Sequence, residues 1–181
     1  MMFWKMKPRR TALPLQNKKR LEVKMFLHDV FLPQLIKVNL EAEDKDEAFE
    51  ELVDHFCQVT KSHARKEILE ALKIREAKMS TGIQKGIAIP HGTTNAVESV
   101  CGVMGISQDG VDYDALDGES VYLLFLLIAP EKDSESHLRI LQRLAELLGN
   151  PQFSQDLQTQ RDQQSAYKII CKYEDMLFSA D

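Results

Sequence analysis

A histidine stands directly behind a short apolar run and a proline in the segment GIAIPHG, residues 86–92. In a neutral imidazole one ring nitrogen is unprotonated and is a good nucleophile near neutral pH. Pro90 restricts the backbone just before His91, and a glycine lies on each side of the segment. The pattern is typical of a strand that opens into a loop, where α/β proteins expose reactive groups. His91 is therefore a candidate nucleophile, but the same pattern also fits a loop histidine with no chemical role.

Two helices are predicted before this segment. Residues 43–60 place apolar side chains at helical spacing, with Asp44 or Asp46 available as the N-cap, and residues 62–78 begin at a potential N-cap, Ser62. In the second helix Ile68, Leu72 and Ile74 are expected to face a core. Arg75 and Glu76 then fall in its last turn.

The remaining elements alternate between strands and helices. Residues 87–89, 99–113 and 119–130 read as strands, and the last is apolar enough to be central and covered on both faces. Residues 134–150 read as a helix that stops at Gly149 and Pro151, and its predicted core stripe is Leu138, Leu141, Leu144, Ala145 and Leu148. Residues 151–157 and 162–177 are predicted as the last helices. The order predicts an α/β fold whose sheet has helices on both sides.

Charge divides the 181-residue chain into two parts. Residues 1–24 hold eight lysines or arginines against one acid, a net charge of +7, whereas residues 25–181 carry a net charge of −12. We expect residues 1–24 to be a flexible basic extension rather than an arm that binds nucleic acid or a membrane surface, since charged termini are often simply solvated. Residues 25–181 are expected to form one globular domain. Because Met25 opens that domain, residues 1–24 are interpreted as an upstream start assignment or a dispensable extension.

Several function classes are disfavoured by what the sequence lacks. The longest apolar run, residues 121–130, is strand-sized, so no membrane insertion is expected. The three cysteines are far apart and form no CxxC pair, which indicates neither a disulfide framework nor a zinc site and favours a reducing cytoplasm. There is no P-loop and no DxDxDG segment, so neither ATP, a metal nor another cofactor is expected. The other histidines, His28, His55 and His63, are interpreted as structural or solvated.

Two longer segments resemble a known family. Residues 80–92, STGIQKGIAIPHG, preceded by REAK, and residues 110–141, which end in SHLRIL, resemble the EIIA domain of the phosphotransferase system, fructose/mannitol type. They are most similar to the stand-alone nitrogen-regulatory members. The resemblance covers roughly residues 26–175. It implies a type 2 EIIA fold, a mixed β-sheet flanked by helices on both faces, for the domain predicted at residues 25–181.

The resemblance also implies roles for three residues. His91 corresponds to the histidine that accepts a phosphoryl group from the phosphocarrier HPr. His137 corresponds to a second active-site histidine beside it, and Arg75 to an arginine near the phosphorylated site, where a guanidinium fork suits phosphoryl oxygens. Without the resemblance, His137 fits an exposed residue in the first turn of a helix, and Arg75 fits a helix-end residue that complements the macrodipole.

Three functions remain open from the sequence. The first is a regulatory phosphocarrier, in which a transient phosphohistidine at His91 decides which target proteins bind. The second is a transport component that passes the group to a separate EIIB during fructose- or mannitol-type sugar uptake, because the chain contains no EIIB-like cysteine loop. The third is a binding module that has lost phosphotransfer, which the joint presence of all three site residues disfavours. The expected partners are an HPr-type protein and either regulatory targets or an EIIB, with no nucleic acid.

Overall fold

The computed structural model describes residues 25–178, so the basic extension predicted for residues 1–24 lies outside the described residues. The helices are α1 (Leu27–Val30), α2 (Lys45–Thr60), α3 (Arg65–Glu76), α4 (Ser134–Leu148), α5 (Pro151–Gln158) and α6 (Gln163–Phe178), with a 3-10 turn at Pro33–Leu35. The strands are β1 (Ile36–Leu40), β2 (Gly82–Gln84), β3 (Ile87–Ala88), β4 (His91–Thr93), β5 (Cys101–Val111) and β6 (Val121–Ala129).

The six strands form one mixed sheet. The order is β1-β5-β6-β3-β2, and β4 pairs with β6 beyond the end of β3. β5 and β6 are antiparallel, as are β2 and β3, whereas β1 runs parallel to β5, and β3 and β4 run parallel to β6. The predicted central strand is confirmed, because β6 is buried along almost its whole length and pairs on both edges.

Helices cover both faces of the sheet, as the sequence predicts. Successive side chains of β6 point to opposite faces. Leu124, Leu126 and Ile128 lie in one apolar cluster with α2 and α3. Leu123 and Phe125 lie in the other cluster with α1, α4, α5 and α6. The mixed α/β architecture is therefore confirmed.

The N-termini of α2 and α3, the two helices on the first face, differ in how they are capped. Asp44 is the N-cap of α2, and its carboxylate accepts a hydrogen bond from the Glu47 N–H at 2.9 Å. The predicted Ser62 cap of α3 is wrong: α3 begins at Arg65 with Ala64 at the N-cap position. Ser62 instead accepts a hydrogen bond from the Ala64 N–H at 3.2 Å, which makes a local turn before the helix.

The buried stripe of α4 differs from the predicted one. Its buried residues are His137, Ile140, Leu144 and Leu147, whereas Leu138 is 57% exposed. The prediction of Leu138 and Ala145 as core residues is thus wrong, and so is the interpretation of His137 as an exposed first-turn residue. The prediction of Ile74 as a core residue of α3 is also wrong, because its side chain is exposed. The buried face of α4 is thus shifted by about one residue from the predicted stripe of apolar residues. This shift turns His137 toward the sheet.

A close backbone contact joins α3 to β4. A Cβ atom placed on Gly92 would lie 2.9 Å from the carbonyl carbon and 3.0 Å from the carbonyl oxygen of Ala71. Only glycine lets the two backbones approach this closely. Arg75 is one helical turn beyond Ala71 on the same face of α3, so the contact brings its side chain toward His91.

Replacing Gly92 with alanine should push α3 away from β4, because the nearest atoms belong to the helix backbone. We expect the free energy of unfolding to fall by about 1 to 3 kcal/mol, the usual cost of overpacking a tight interior. Urea unfolding measures this loss. Gly149→Ala is the matched control, because Gly149 has ordinary helical dihedral angles, φ −63° and ψ −20°. Equal stability of Gly92→Ala and the wild type would show that the contact between Gly92 and Ala71 tolerates a Cβ atom.

Candidate functional site

The predicted loop position of His91 is wrong, because His91 is the first residue of β4 and pairs with Leu127 of β6. The preceding backbone sets the orientation of its ring. Its Nδ1 lies 2.8 Å from the carbonyl oxygen of Ile89. A carbonyl oxygen can only accept a hydrogen bond, so the proton of the neutral ring resides on Nδ1. Nε2 then carries the lone pair. The backbone beside it is anchored to the central strand, because the Leu127 N–H donates to the Pro90 carbonyl at 2.9 Å.

Arg75 lies at the nitrogen that carries the lone pair. Its Nε donates a hydrogen bond to His91 Nε2 at 3.0 Å. Its Nη1 donates to the Met79 carbonyl oxygen, also at 3.0 Å, which holds the guanidinium in place just beyond the end of α3. The two ring nitrogens of His91 are thus both engaged, one as donor and the other as acceptor. This arrangement suits a neutral imidazole and opposes a second ring proton.

His137 brings a second imidazole beside the first. It lies in the first turn of α4, which is capped by Asp133 through the Ser136 N–H at 3.2 Å. The rings of His91 and His137 meet edge to face, with centroids 5.6 Å apart and planes at 69°. His137 is only 9% exposed, and its buried Nε2 has no hydrogen-bond partner among residues 25–178. This nitrogen can therefore bind a further polar group without giving up a hydrogen bond to another residue in that range.

Both imidazoles are held toward the neutral form. Burial is the main cause that lowers the pKa of His91 below 6.5, and the Arg75 charge lowers it further, whereas the bond to Ile89 opposes the shift. Burial likewise lowers the pKa of His137, and the neighbouring His91 adds to that shift. A neutral imidazole with a defined lone pair is the reactive form for nucleophilic attack.

A buried polar network that the sequence did not reveal lies behind the site. We call it the Glu76 network, and its members are Lys45, Glu76, Thr81 and Tyr113. The Thr81 N–H and hydroxyl both donate to the Glu76 carboxylate, the hydroxyl at 2.6 Å, and Tyr113 Oη lies 2.8 Å from Thr81 Oγ1. Lys45 Nζ lies 3.4 Å from the same carboxylate. These residues are far apart in the sequence, and only the position of Glu76 next to Arg75 could have drawn attention to them.

The other singled-out histidines lie away from this site. His28 Nδ1 is 2.6 Å from the buried Glu174 carboxylate, and His55 Nε2 is 2.9 Å from the Gln34 carbonyl oxygen. His63 is exposed. Of the five histidines, the structure thus brings together the two predicted for the site, His91 and His137, along with Arg75.

Residues 25–178 contain neither a cluster of metal-binding side chains nor a helix suited to spanning a membrane. Within that range no group of three or more histidine, cysteine or acidic side chains has the arrangement of a metal centre. None of the helices in the same range combines the length and apolar character needed to cross a membrane.

Residues 29–173 match the protein family described as "Phosphoenolpyruvate-dependent sugar phosphotransferase system, EIIA 2". The chain is 33% identical over 150 residues to the "PTS system fructose-specific EIIABC component" of Bacillus subtilis, covering 83% of this chain but only 24% of that protein. It is 32% identical over 146 residues to the "Nitrogen regulatory protein" of Bradyrhizobium diazoefficiens, covering 81% of this chain and 95% of that protein.

The fold has a close counterpart among solved structures. The nitrogen regulatory protein IIA-Ntr from Neisseria meningitidis superimposes with a TM-score of 0.73 at 28% sequence identity. The match covers 80% of this chain and 98% of that one. The arrangement of helices on both faces of a mixed sheet is therefore shared with a nitrogen regulatory protein.

The folded state should keep His91 neutral to a lower pH than the unfolded chain does. Because burial lowers its pKa from 6.5, the unfolded state binds the proton first as the pH falls. The stability that His91 contributes is therefore complete above pH 6.5 and is lost as the pH falls from there through the folded-state pKa. A ¹⁵N NMR titration of the imidazole measures this, with the same titration in urea as control. Half-protonation of folded His91 at or above pH 6.5 would contradict the expectation.

Proposed function

This chain belongs to the EIIA 2 family of the phosphoenolpyruvate-dependent sugar phosphotransferase system, and we propose that it is a phosphoryl carrier with His91 as the acceptor. The donor in this proposal is an HPr-type phosphocarrier protein. One observation carries the proposal: His91 donates from Nδ1 to Ile89 and presents the Nε2 lone pair to Arg75. A single nucleophilic nitrogen thus lies beside a permanent positive charge.

The transfer follows from this geometry. The Nε2 lone pair forms a bond to phosphorus, while the bond between phosphorus and the donor's histidine nitrogen breaks and returns its electron pair to that nitrogen. The Nδ1 proton of His91 stays in place, so the ring becomes positively charged and its bond to the Ile89 carbonyl strengthens. The protein's contribution is mainly alignment and stabilisation of the charge on the phosphoryl oxygens.

Arg75 changes its partner during this step. In the unphosphorylated site its Nε–H occupies the lone pair of His91 Nε2. This N–H must leave Nε2 as the phosphorus approaches, and the nearest new acceptor is an oxygen of the phosphoryl group whose phosphorus bonds to Nε2. The guanidinium is then in position to bind two phosphoryl oxygens, which its planar fork favours. The bond to the Met79 carbonyl keeps the side chain close throughout.

His137 is proposed to assist without accepting the group. Its ring packs against His91, and its buried Nε2 lacks a partner among the described residues. A phosphoryl oxygen held on His91 would supply an acceptor within the same pocket, with Nε2 protonated as the donor. His137 would thereby share the incoming charge and fix the orientation of the His91 ring.

The surface beside the site suits a protein partner. Ile74 and Leu138 are exposed and adjoin Arg75 and His137 in the chain. Met79 is also exposed, and its carbonyl oxygen accepts a hydrogen bond from Arg75. Residues 25–181 carry a net charge of −12, which favours encounter with a basic patch on the donor. An apolar contact ringed by charge would hold two proteins together long enough for transfer.

We favour a regulatory output over sugar transport. The match to the Bradyrhizobium nitrogen regulatory protein extends over 95% of that relative and supports this choice. The alternative, transfer to a separate EIIB during sugar uptake, is supported by the 33% identity to a fructose-specific EIIABC component. In either case a cytoplasmic location stays a prediction.

His91→Ala should abolish the acid-labile label that phosphorylated HPr transfers to the wild type. Arg75→Lys should keep the label but slow its transfer by roughly 30- to 900-fold, or about 2 to 4 kcal/mol, because an ammonium cannot reproduce the guanidinium fork. His137→Gln should slow transfer without removing the label. Rapid-quench phosphorylation kinetics measure all three.

Arg65→Lys is the matched control, because Arg65 is in the first turn of the same helix and pairs with Asp54 and Glu50 away from the site. It should transfer at the wild-type rate. Undiminished labelling of His91→Ala would refute the acceptor assignment. Wild-type rates in Arg75→Lys and His137→Gln would leave those two residues with purely structural roles.

The phosphorylated and unphosphorylated proteins should bind different target proteins. The phosphoryl group adds about −1.5 to −2 charges at the surface that surrounds His91, enough to repel an apolar or acidic partner or to recruit arginines. Affinity capture with the phosphorylated wild type and with His91→Ala compares the two states. If both bind the same proteins and phosphorylated His91 rapidly passes its group to an EIIB, the transport alternative is correct.

A further inference from the structure

We infer that Glu76 is a positioning residue for His91, acting through Thr81 and the backbone of Ile89. The Glu76 carboxylate binds Thr81, and the Thr81 carbonyl holds the backbone N–H of Ile89. The Ile89 carbonyl then accepts a hydrogen bond from Nδ1 of the His91 ring. The kinetic consequence of this inference rests on the proposed function. Its structural consequence, the choice of the His91 tautomer, does not.

The first link is between Glu76 and Thr81. Glu76 is the last residue of α3, and its side chain is only 8% exposed. The Thr81 N–H lies 3.2 and 3.0 Å from its two carboxylate oxygens, and the Thr81 hydroxyl donates to Oε2 at 2.6 Å. Charge-assisted hydrogen bonds of this kind are stronger than neutral ones. Thr81 is therefore held through both its backbone and its side chain.

The rest of the network compensates the buried charge and completes the hydrogen bonds. Lys45 Nζ is 3.4 Å from Glu76 Oε1 and also lies 5.6 Å from the centre of the Tyr113 ring. Because the Thr81 hydroxyl uses its hydrogen for Glu76, the Tyr113 hydroxyl must donate to Thr81 Oγ1 across their 2.8 Å contact. The Thr81 hydroxyl thus donates to Glu76 and accepts from Tyr113, so the positions of both hydroxyl protons are defined.

The second link is between Thr81 and Ile89. The Ile89 N–H donates to the Thr81 carbonyl oxygen at 3.0 Å. Ile89 lies between the end of β3 and the start of β4, and its bond to Thr81 continues the antiparallel register in which Gly82 faces Ala88. Pro90 follows and has no N–H to contribute. The bond to Thr81 is thus a direct constraint on the position of Ile89.

The third link is between Ile89 and the nucleophile. The Ile89 carbonyl accepts from His91 Nδ1 at 2.8 Å, and this bond places the lone pair on Nε2 beneath Arg75. If the carbonyl moves away, one of the two bonds that favour the proton on Nδ1 is lost, and only the Arg75 N–H at Nε2 still favours it. The proton can then occupy Nε2, where it removes the lone pair and opposes the Arg75 N–H.

An electrostatic effect acts in the same site. The negative charge of Glu76 raises the pKa of His91, against the larger lowering by burial and the further lowering by Arg75. Arg75, whose charge lowers the pKa of His91, is the residue before Glu76 in the last turn of α3. Glu76 therefore affects both the location of the His91 proton and the ease of adding another.

The experiment compares four variants by two independent measurements. The first is the His91 tautomer in the unphosphorylated protein, read from the ¹⁵N shifts of Nδ1 and Nε2. The second is the single-turnover rate of phosphorylation at saturating phosphorylated HPr, together with the half-saturating donor concentration. Glu76→Gln replaces one acceptor oxygen with a donor group, and Thr81→Val removes the hydroxyl. Thr81→Ser restores it, and Tyr113→Phe removes only the outer hydrogen bond.

We expect Glu76→Gln and Thr81→Val to populate the Nε2-protonated tautomer and to slow phosphorylation by about 10- to 100-fold, with the half-saturating donor concentration unchanged. Thr81→Ser should recover both the wild-type tautomer and the wild-type rate. Tyr113→Phe should lower the urea midpoint yet keep both, because the contacts between Glu76 and Thr81 remain.

Two results would overturn the inference. One is a folded Glu76→Gln protein with the wild-type tautomer and rate, and the other is an equal loss in Tyr113→Phe at the same folded fraction, which would reduce the network to a stabilising role. If Glu76→Gln does not fold, the Thr81→Val and Thr81→Ser pair decides. If the wild type accepts no phosphoryl group, the proposed function fails, while the tautomers of the same variants still test the positioning role.

Discussion

The site depends on one hydrogen bond, from His91 Nδ1 to the carbonyl oxygen of Ile89. An imidazole has two nitrogens, and this bond decides which one keeps a lone pair. Arg75 and His137 then both lie against a ring whose lone pair is on a known nitrogen, Nε2. The approach of α3 to Gly92 brings Arg75 to Nε2, and the first turn of α4 brings His137 against the same ring. Without the bond to Ile89, the ring proton could move to Nε2, and the Arg75 N–H would then face a protonated nitrogen.

Burial has opposing effects in this arrangement. It lowers the pKa of both histidines, and at His91 this favours the neutral ring that the proposed transfer needs. It also leaves His137 Nε2 without a hydrogen-bond partner among residues 25–178, so this nitrogen is available to a group that arrives at His91. The Glu76 carboxylate has the opposite arrangement, since it accepts hydrogen bonds from Thr81 and lies 3.4 Å from Lys45 Nζ.

The sequence predicts the fold better than it predicts the contacts in the site. A continuous apolar run located the central strand β6, and period-3.6 patterns located the long helices, because those elements bury continuous apolar surface. In α4 the same reasoning failed: it counted Leu138 as core and ignored His137, since a hydrophobic pattern gives no weight to an inward-facing histidine. The grouping of Arg75, His91 and His137 followed only from a family resemblance. The Glu76 network was missed because its members meet through the tertiary fold, with no shared periodicity.

The position of the phosphoryl group on the His91 ring tests this account most directly. The protein, labelled with ¹⁵N in its histidines, would be phosphorylated by phosphorylated HPr and examined for coupling between ³¹P and the ring nitrogens. The account predicts coupling to Nε2, with Nδ1 still protonated and bonded to the Ile89 carbonyl. Coupling to Nδ1 would contradict it, because the Ile89 bond could not then be what selects the nucleophile.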